Sequence, residues 1–337
     1  MENSRPVPFD RIDLTDQTFS VNFLPDIERL RASIREAGLL QPVLLKEKTD
    51  RYQVVSGFRR ISVVRELGYE EIESRVFEEE VPDLKLFSIS LRENLTSRGF
   101  NAVEKAIAID KLVDHFRVDP AVVARDFLPF FDLETNEKIL NTFLSLARME
   151  EEVKRYVLKE EVSRSNIRRL AAFSAEDRRE TMILLASLKL GENSLREILT
   201  LLGEIGRRDG SGVREILHLR EIGEILSHPE LTSGQKTERV KKTLIRLRYP
   251  KMSRLEEQFE KRRKNLNLPP GVSLYPSPFF EGRGLRIGFE FQSIEQFRHI
   301  LSSLLSLEEK REFREMIDPS DPLFPPEGED KGQGTSD

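Results

Sequence analysis

The sequence predicts an α+β N-terminal domain, an all-α middle domain and a small strand–helix module near its end. Three observations carry this. Short β-rich runs alternate with amphipathic stretches over residues 1–116. Apolar residues at helical spacing, with no convincing strand, fill 117–264. A period-two run, Leu285 to Phe291, then precedes a capped amphipathic stretch.

Taken in order, Val7 to Ile12 reads as a short edge strand, and Pro25 to Gly38 as a helix with Ile27, Leu30 and Ile34 in one stripe and Gly38 as its C-cap signal. Pro42–Lys46 and Tyr52–Ser56 read as strands around the polar turn Lys48-Thr49-Asp50. A helix from Arg59 to Leu67 stops at Gly68, and Glu71–Phe77 is a further strand. Helices follow at Leu84–Leu95 and Ala102–Phe116. In the middle domain Leu195, Ile198, Leu199 and Leu202 keep helical spacing, glycines such as Gly191 and Gly210 punctuate it, and Pro250 divides its last basic stretch. Residues 265–281 read as a Pro-rich linker and 282–317 as a C-terminal module. There Ser293 and Gln296 form a capping box ahead of a helix with Phe297, Ile300, Leu301 and Leu304 on one face. A lone strand and helix cannot bury both apolar faces, so a second copy, hence a homodimer, is expected to cover them. Residues 318–337, acidic and rich in Pro and Gly, read as a disordered tail.

Of 337 residues, 34% are charged against about 25% in an average globular protein. That excess fits an elongated, helix-rich chain with several small cores. With no cysteine, disulfides, thiolate metal sites and thiol nucleophiles are excluded, and a reducing cytoplasm is expected. The four histidines show no paired metal-ligand spacing. No apolar stretch resembles a signal peptide or approaches the 18 or so residues of a membrane span, so no membrane association is expected. The net charge of −5 argues against a uniformly basic nucleic-acid binder, yet Lys236–Lys264 holds twelve Lys/Arg against four Asp/Glu, a local surplus of eight positive charges.

Ser56-Gly57-Phe58-Arg59-Arg60 lies between a strand and a helix. A helix N-terminus offers unpaired N–H groups and a positive dipole end. Gly57 lets backbone approach an anion, and Arg59 and Arg60 add forked donors suited to phosphate. A tight turn followed by two solvated arginines fits the same residues equally well. Glu93 and Asn94 offer hard oxygen ligands of the kind Mg²⁺ takes beside nucleotide phosphates, and Arg98 adds charge; an ordinary helix C-cap is the simpler account of that segment alone.

In order and spacing, Leu30 to Val43 (with Ser33, Ile34, Gly38 and Gln41-Pro42), Tyr52 to Arg60, Glu93-Asn94-Leu95 and Asn101 to Ala106 resemble the N-terminal domain of the ParB partition family, a ParB/sulfiredoxin-like fold, over about residues 5–116. The resemblance implies that Ser56, Gly57, Arg59, Arg60 and Arg98 bind the phosphates of CTP. It implies that Glu93 and Asn94 hold Mg²⁺, and that the domain closes as a clamp around double-stranded DNA when CTP is bound. It also implies a ParA-type ATPase as partner and a nucleoid-associated location. Two departures stand out. Phe58 replaces the family's usual Glu, and Ser97 replaces the arginine of the Glu-Asn box, with Arg98 one place later. A nucleotide-binding switch with at most weak CTP turnover is therefore expected.

The resemblance continues more weakly. Lys138–Leu146 and Glu151–Leu158 resemble the segments after the family's helix-turn-helix, but Phe127–Asp132 interrupts that motif, and Glu134 and Glu137 place negative charge where base reading needs donors, so the motif reads as degenerate. Arg164, Arg168, Arg169, Lys241 and Lys242 are the candidate DNA-backbone contacts; solvated helix faces explain them as readily. The strand–helix from Gly284 to Leu305 resembles the family's dimerisation domain in pattern. The leading expectation is thus a CTP-responsive DNA clamp or adaptor in chromosome or plasmid partition. One alternative is a nucleotide-dependent enzyme, a phosphotransferase or nuclease, on the same fold, with Glu93 as its only good catalytic base. Another is a protein-interaction scaffold with a vestigial site.

Overall fold

The computed structural model describes residues 4–280 and 284–317. The chain divides into two compact units. One comprises residues up to Gly203 with Gly212–Leu217, the other Glu204–Ser211 with residues from His218 onward.

The first unit opens with β1 (Arg5–Pro8), β2 (Ile12–Asp13), α1 (Glu28–Ala37), β3 (Val43–Glu47), β4 (Tyr52–Ser56), α2 (Phe58–Glu66), β5 (Glu71–Phe77), α3 (Asp83–Ser97) and α4 (Ala102–Asp110). Its sheet has the order β1-β5-β3-β4-β2. The β1/β5 and β3/β4 pairs are antiparallel, β3/β5 and β2/β4 parallel. The central strands are covered on both faces, which is why β3 and β4 read as continuous apolar runs rather than alternating ones: Val43, Leu45, Val54 and Val55 are all buried. Ile34 of α1 and Ile61, Val63 and Val64 of α2 pack on this sheet, with Ile27 and Leu30 beside them, as the helical stripe predicts. Ala102 to Phe116 is helical as expected, but its regular α form ends at Asp110, and a wider, π-type turn carries Lys111–His115.

The remainder of this unit is helical, with α5 (Pro120–Val122), α6 (Glu137–Arg148), α7 (Glu151–Lys159), α8 (Arg164–Ala171), α9 (Ala175–Ala186), the start of α10 (Glu192–Asp209) and α11 (Val213–Leu217). Between α5 and α6 the chain passes through a π-type turn at Val123–Phe127 and a 3-10 turn at Pro129–Phe131, and Asp132 is left-handed at φ 57°. These are the residues expected to interrupt a regular helix pair.

The second unit contains α12 (Arg220–Ser227), α13 (Ser233–Arg248), α14 (Pro250–Asn265), β6 (Val272–Pro276), β7 (Leu285–Phe289), α15 (Ile294–Leu305) and α16 (Arg311–Ile317). Pro250 separates α13 from α14, as its missing N–H requires. One expectation is corrected. The strand at Leu285 is not alone: it pairs antiparallel with β6, from Val272↔Phe289 to Pro276↔Leu285. The strand β6 lies inside the segment read as a linker, where prolines at both ends hid it. The hairpin shares a core with α14 and α16 built on Phe259, Leu266, Leu274, Phe280, Leu307 and Met316. Apolar surface nevertheless stays uncovered. The rings of Phe289, Phe291 and Phe297 cluster at 4.8–6.3 Å, and Phe291 (48%), Ile294 (58%) and Leu305 (74%) remain exposed. The expected disordered tail, 318–337, lies outside the described residues.

Lys111 fixes the loop between β2 and α1. Its Nζ donates to the carbonyls of Gln17 and Thr18. Burial pushes its pKa down to about 8, with the Asp16 charge opposing the shift. Because an unfolded lysine titrates near about 10.4, between pH 8 and that value the unfolded chain holds more protons, so stability rises with pH across this window. We predict a stability gain on the order of 2 kcal/mol between about pH 8 and 10.5 that is absent in Lys111→Met, measured by urea denaturation at each pH.

Candidate phosphate-binding site

The site forms where β4 turns into α2. Gly57 is the N-cap of α2 with φ 100°, a left-handed conformation that glycine adopts without strain. A Cβ at this position would lie 2.7 Å from Val43 Cγ1, so space as well as conformation selects glycine. No side chain caps α2 and no acid lies in its first turn, which leaves its N-terminal N–H groups and dipole facing the cavity. This cavity, about 580 Å³, is lined by residues of three elements and the loop before α1, among them Asn22, Arg29, Arg59, Arg60, Glu93 and Arg98. The volume falls within the roughly 300–1,000 Å³ usual for small-molecule sites.

Two charge clusters organise it. In the first, Glu93 bridges β4 and α2 from α3. Its Oε1 accepts from Arg60 Nη2 at 2.5 Å and its Oε2 from Ser56 Oγ at 2.5 Å. Arg60 Nη1 also donates to the Gln41 and Pro42 carbonyls at 3.2 and 3.0 Å. In the second, Glu104 of α4 is only 1% exposed and accepts from Arg59 Nη2 and Arg98 Nη1, each at 2.7 Å. The backbone N–H groups of Phe23 and Asn101 complete its coordination. Asn22 Oδ1 accepts from Arg59 Nε at 3.0 Å and Arg98 Nη2 at 3.2 Å. Burial first, and the Arg98 charge second, lower the Arg59 pKa from its ordinary value, while Glu104 holds it charged.

The structure thus brings Ser56, Gly57, Arg59, Arg60, Glu93, Asn94 and Arg98 around one cavity or directly behind it. Three residues escaped the sequence reading. Glu104 is the anchor of two arginines, Asn22 holds both from the opposite side, and Arg29 adds an exposed cation to the lining. The capping-box spacing Asn101-x-x-Glu104 was a legible signal for a helix start, and the box is formed. The second duty of Glu104 was not legible.

The donor set suits an anion with several oxygens. Four arginines line the cavity against Asp26 and Glu93. It suits a free metal ion poorly. Both Glu93 oxygens are engaged, Asn94 Oδ1 accepts from Arg98 Nε at 3.1 Å, and among the described residues no cluster of three or more His, Cys, Asp or Glu side chains is placed to hold a metal. One carboxylate and one amide are a fit for Mg²⁺ only where phosphate oxygens supply further ligands.

The candidate DNA contacts are dispersed. Arg164 and Arg168 are exposed on α8, Arg164 lying 3.7 Å from Glu134. Arg169 is turned inward, donating to Thr200 Oγ1, Ser165 Oγ and the Ser165 carbonyl. On α13, Lys242 is exposed, while the Lys241 side chain is only 18% exposed and lies 3.8 Å from Glu238.

A mixed five-stranded sheet thus presents an uncapped helix N-terminus and converging arginines to one cavity. The family model for the ParB N-terminal domain matches residues 4–95. Over these residues the chain is similar to the ParB N-terminal domain. A nucleoid occlusion protein of Halalkalibacterium halodurans is 29% identical over 159 residues, 47% of this chain and 53% of that protein. The chain spans about half the length of the curated relatives it matches. Among solved structures, the C-terminally truncated chromosome-partitioning protein ParB from Caulobacter crescentus complexed to the centromeric parS site is 19% identical, with a TM-score of 0.35 over 58% of this chain and 99% of that one. The same protein complexed with CTP-gamma-S is 24% identical, with a TM-score of 0.25 over 54% and 99%.

Glu104→Gln keeps the volume but leaves two buried cations short of their counter-charge. We predict a loss of about 3 kcal/mol in unfolding free energy by denaturant titration, in the range for breaking buried ion pairs.

Proposed function

We propose that this chain is a CTP-responsive DNA-binding clamp or adaptor acting in chromosome or plasmid partition. The observation that carries the reading is the cavity at the N-terminus of α2, where Gly57 admits close backbone approach and Arg29, Arg59, Arg60 and Arg98 supply the charge. Arg59 and Arg98 are held by Glu104 and orient the phosphates. Arg60 and Glu93 neutralise each other in the ligand-free chain, are less buried than Glu104, and are the pair free to exchange partners. Bound Mg²⁺ would be held by Glu93 and Asn94 together with the nucleotide's own oxygens, and would supply charge neutralisation there.

Turnover is at most weak in this reading. Phe58, at the start of α2, packs on the apolar core and offers no proton acceptor. The interrupted α5–α6 segment supports a degenerate helix-turn-helix rather than a base-reading one. DNA contact would rest on phosphate attraction from Arg164, Arg168 and the α13–α14 cations, with Arg169 and Lys241 better read as structural. The uncovered Phe291, Ile294 and Leu305 surface supports dimerisation through the C-terminal module. A nucleoid-associated location and a ParA-type ATPase partner accompany this reading.

Isothermal titration tests it. CTP with Mg²⁺ is expected to bind the wild-type chain and to lose at least about tenfold in affinity in Arg59→Ala, the effect of removing one charged hydrogen-bond partner. Absence of CTP binding with Mg²⁺, both with and without DNA, would reject the proposal. Separately, Arg168→Gln is expected to lower the slope of log affinity against log salt for duplex DNA by about one, whereas Arg169→Gln leaves that slope unchanged.

A further inference from the structure

The segment that follows α16 carries Asp318, Asp321, Glu327, Glu329, Asp330 and Asp337 against one cation, Lys331, a net charge of −5. Its point of departure is fixed. The helix α16 packs on α14, with Phe313 and Met316 in one cluster with Met252, Leu255 and Phe259. The helix α14 bears six cations against three acids, and α13, packed against it, six against one. Lys251, Arg254, Lys261 and Lys264 are exposed and form no ion pair among the described residues. An acidic segment therefore begins beside the most basic surface of its own unit.

We infer that residues 318–337 dock on the basic surface of α14 and the adjoining end of α13, shielding it from nucleic-acid phosphates. Length permits this. A 16-residue helix is about 24 Å long, and twenty extended residues reach about 65 Å. Tethering supplies an effective concentration in the millimolar range, so individually weak exposed pairs suffice. The same weakness makes the contact salt-labile, since charges are screened beyond about 8 Å at physiological ionic strength. DNA, with its denser line of charge, competes for the same cations, so the segment sets a threshold that disfavours adventitious DNA contact. Docking itself needs only the charges; the effect on DNA rests on the proposed DNA-facing role of α13–α14.

The test compares the full chain with a full-length variant in which the six acids are replaced by their amides (Asp→Asn, Glu→Gln). Lysine acetylation is followed residue by residue by mass spectrometry. At about 50 mM salt, Lys251, Lys261 and Lys264 of the wild type are expected to react about three- to tenfold more slowly than in the variant, the difference vanishing near 0.5 M as screening tightens. Lys159, on α7 in the other unit, reports any global change and should not differ. Equal reactivity at low salt overturns the inference. In parallel, the variant is expected to bind a random-sequence duplex about tenfold more tightly than wild type at low salt. If neither protein binds DNA while the lysines differ, docking stands and the DNA reading fails. If both bind DNA equally and the lysines do not differ, docking fails and the DNA reading stands.

Discussion

The Glu104 carboxylate ties its own local segment, Arg98 to Asn101, to two stretches of chain distant in sequence. It takes charged donors from Arg59 on α2 and Arg98 at the end of α3, and backbone N–H groups from Phe23 in the β2–α1 loop and Asn101 at the start of α4. A carboxylate this buried costs several kcal/mol unless its charge and lone pairs are met. The fold meets them by delivering two guanidinium groups to one point. Those arginines are thus positioned by the requirements of folding before any ligand arrives. Two guanidinium charges against one carboxylate leave a net positive charge on this cluster, to which exposed Arg29 and the N-terminus of α2 add.

The site thus holds two charge clusters. In one, Glu104 and Asn22 share Arg59 and Arg98 between them. In the other, Arg60 pairs with Glu93, the more exposed of the two carboxylates. The two satisfy each other, so the cavity presents no bare carboxylate at Glu93.

Most of the first unit was legible because its strands and helices follow the periodicities that burial imposes. β4 and β5 fall on the expected residues, and the glycine turn, helix and Glu93-Asn94 segment meet around one cavity, as the family resemblance implied. What stayed hidden has physical reasons. Glu104 acts across separations of 45 and 81 residues, which local patterns do not encode. Arg169 reads as a surface cation until Thr200 and Ser165 are seen to hold it. The strand β6 is bounded by prolines that usually signal a connector, and they are tolerated here because a two-stranded hairpin consists only of edges.

That hairpin changes the argument for self-association. An unpaired strand would demand a partner to satisfy its backbone as well as its side chains. With β6 paired on one side, each strand of the hairpin still keeps one open edge, so backbone pairing remains available beside the apolar surface of the phenylalanine cluster of β7 and α15. The two act differently: hydrophobic burial is non-directional and grows with area, whereas pairing along a strand edge would fix register. The cluster around Glu104 is the opposite case: its charged hydrogen bonds are directional and fix Arg59 and Arg98 in place within one unit.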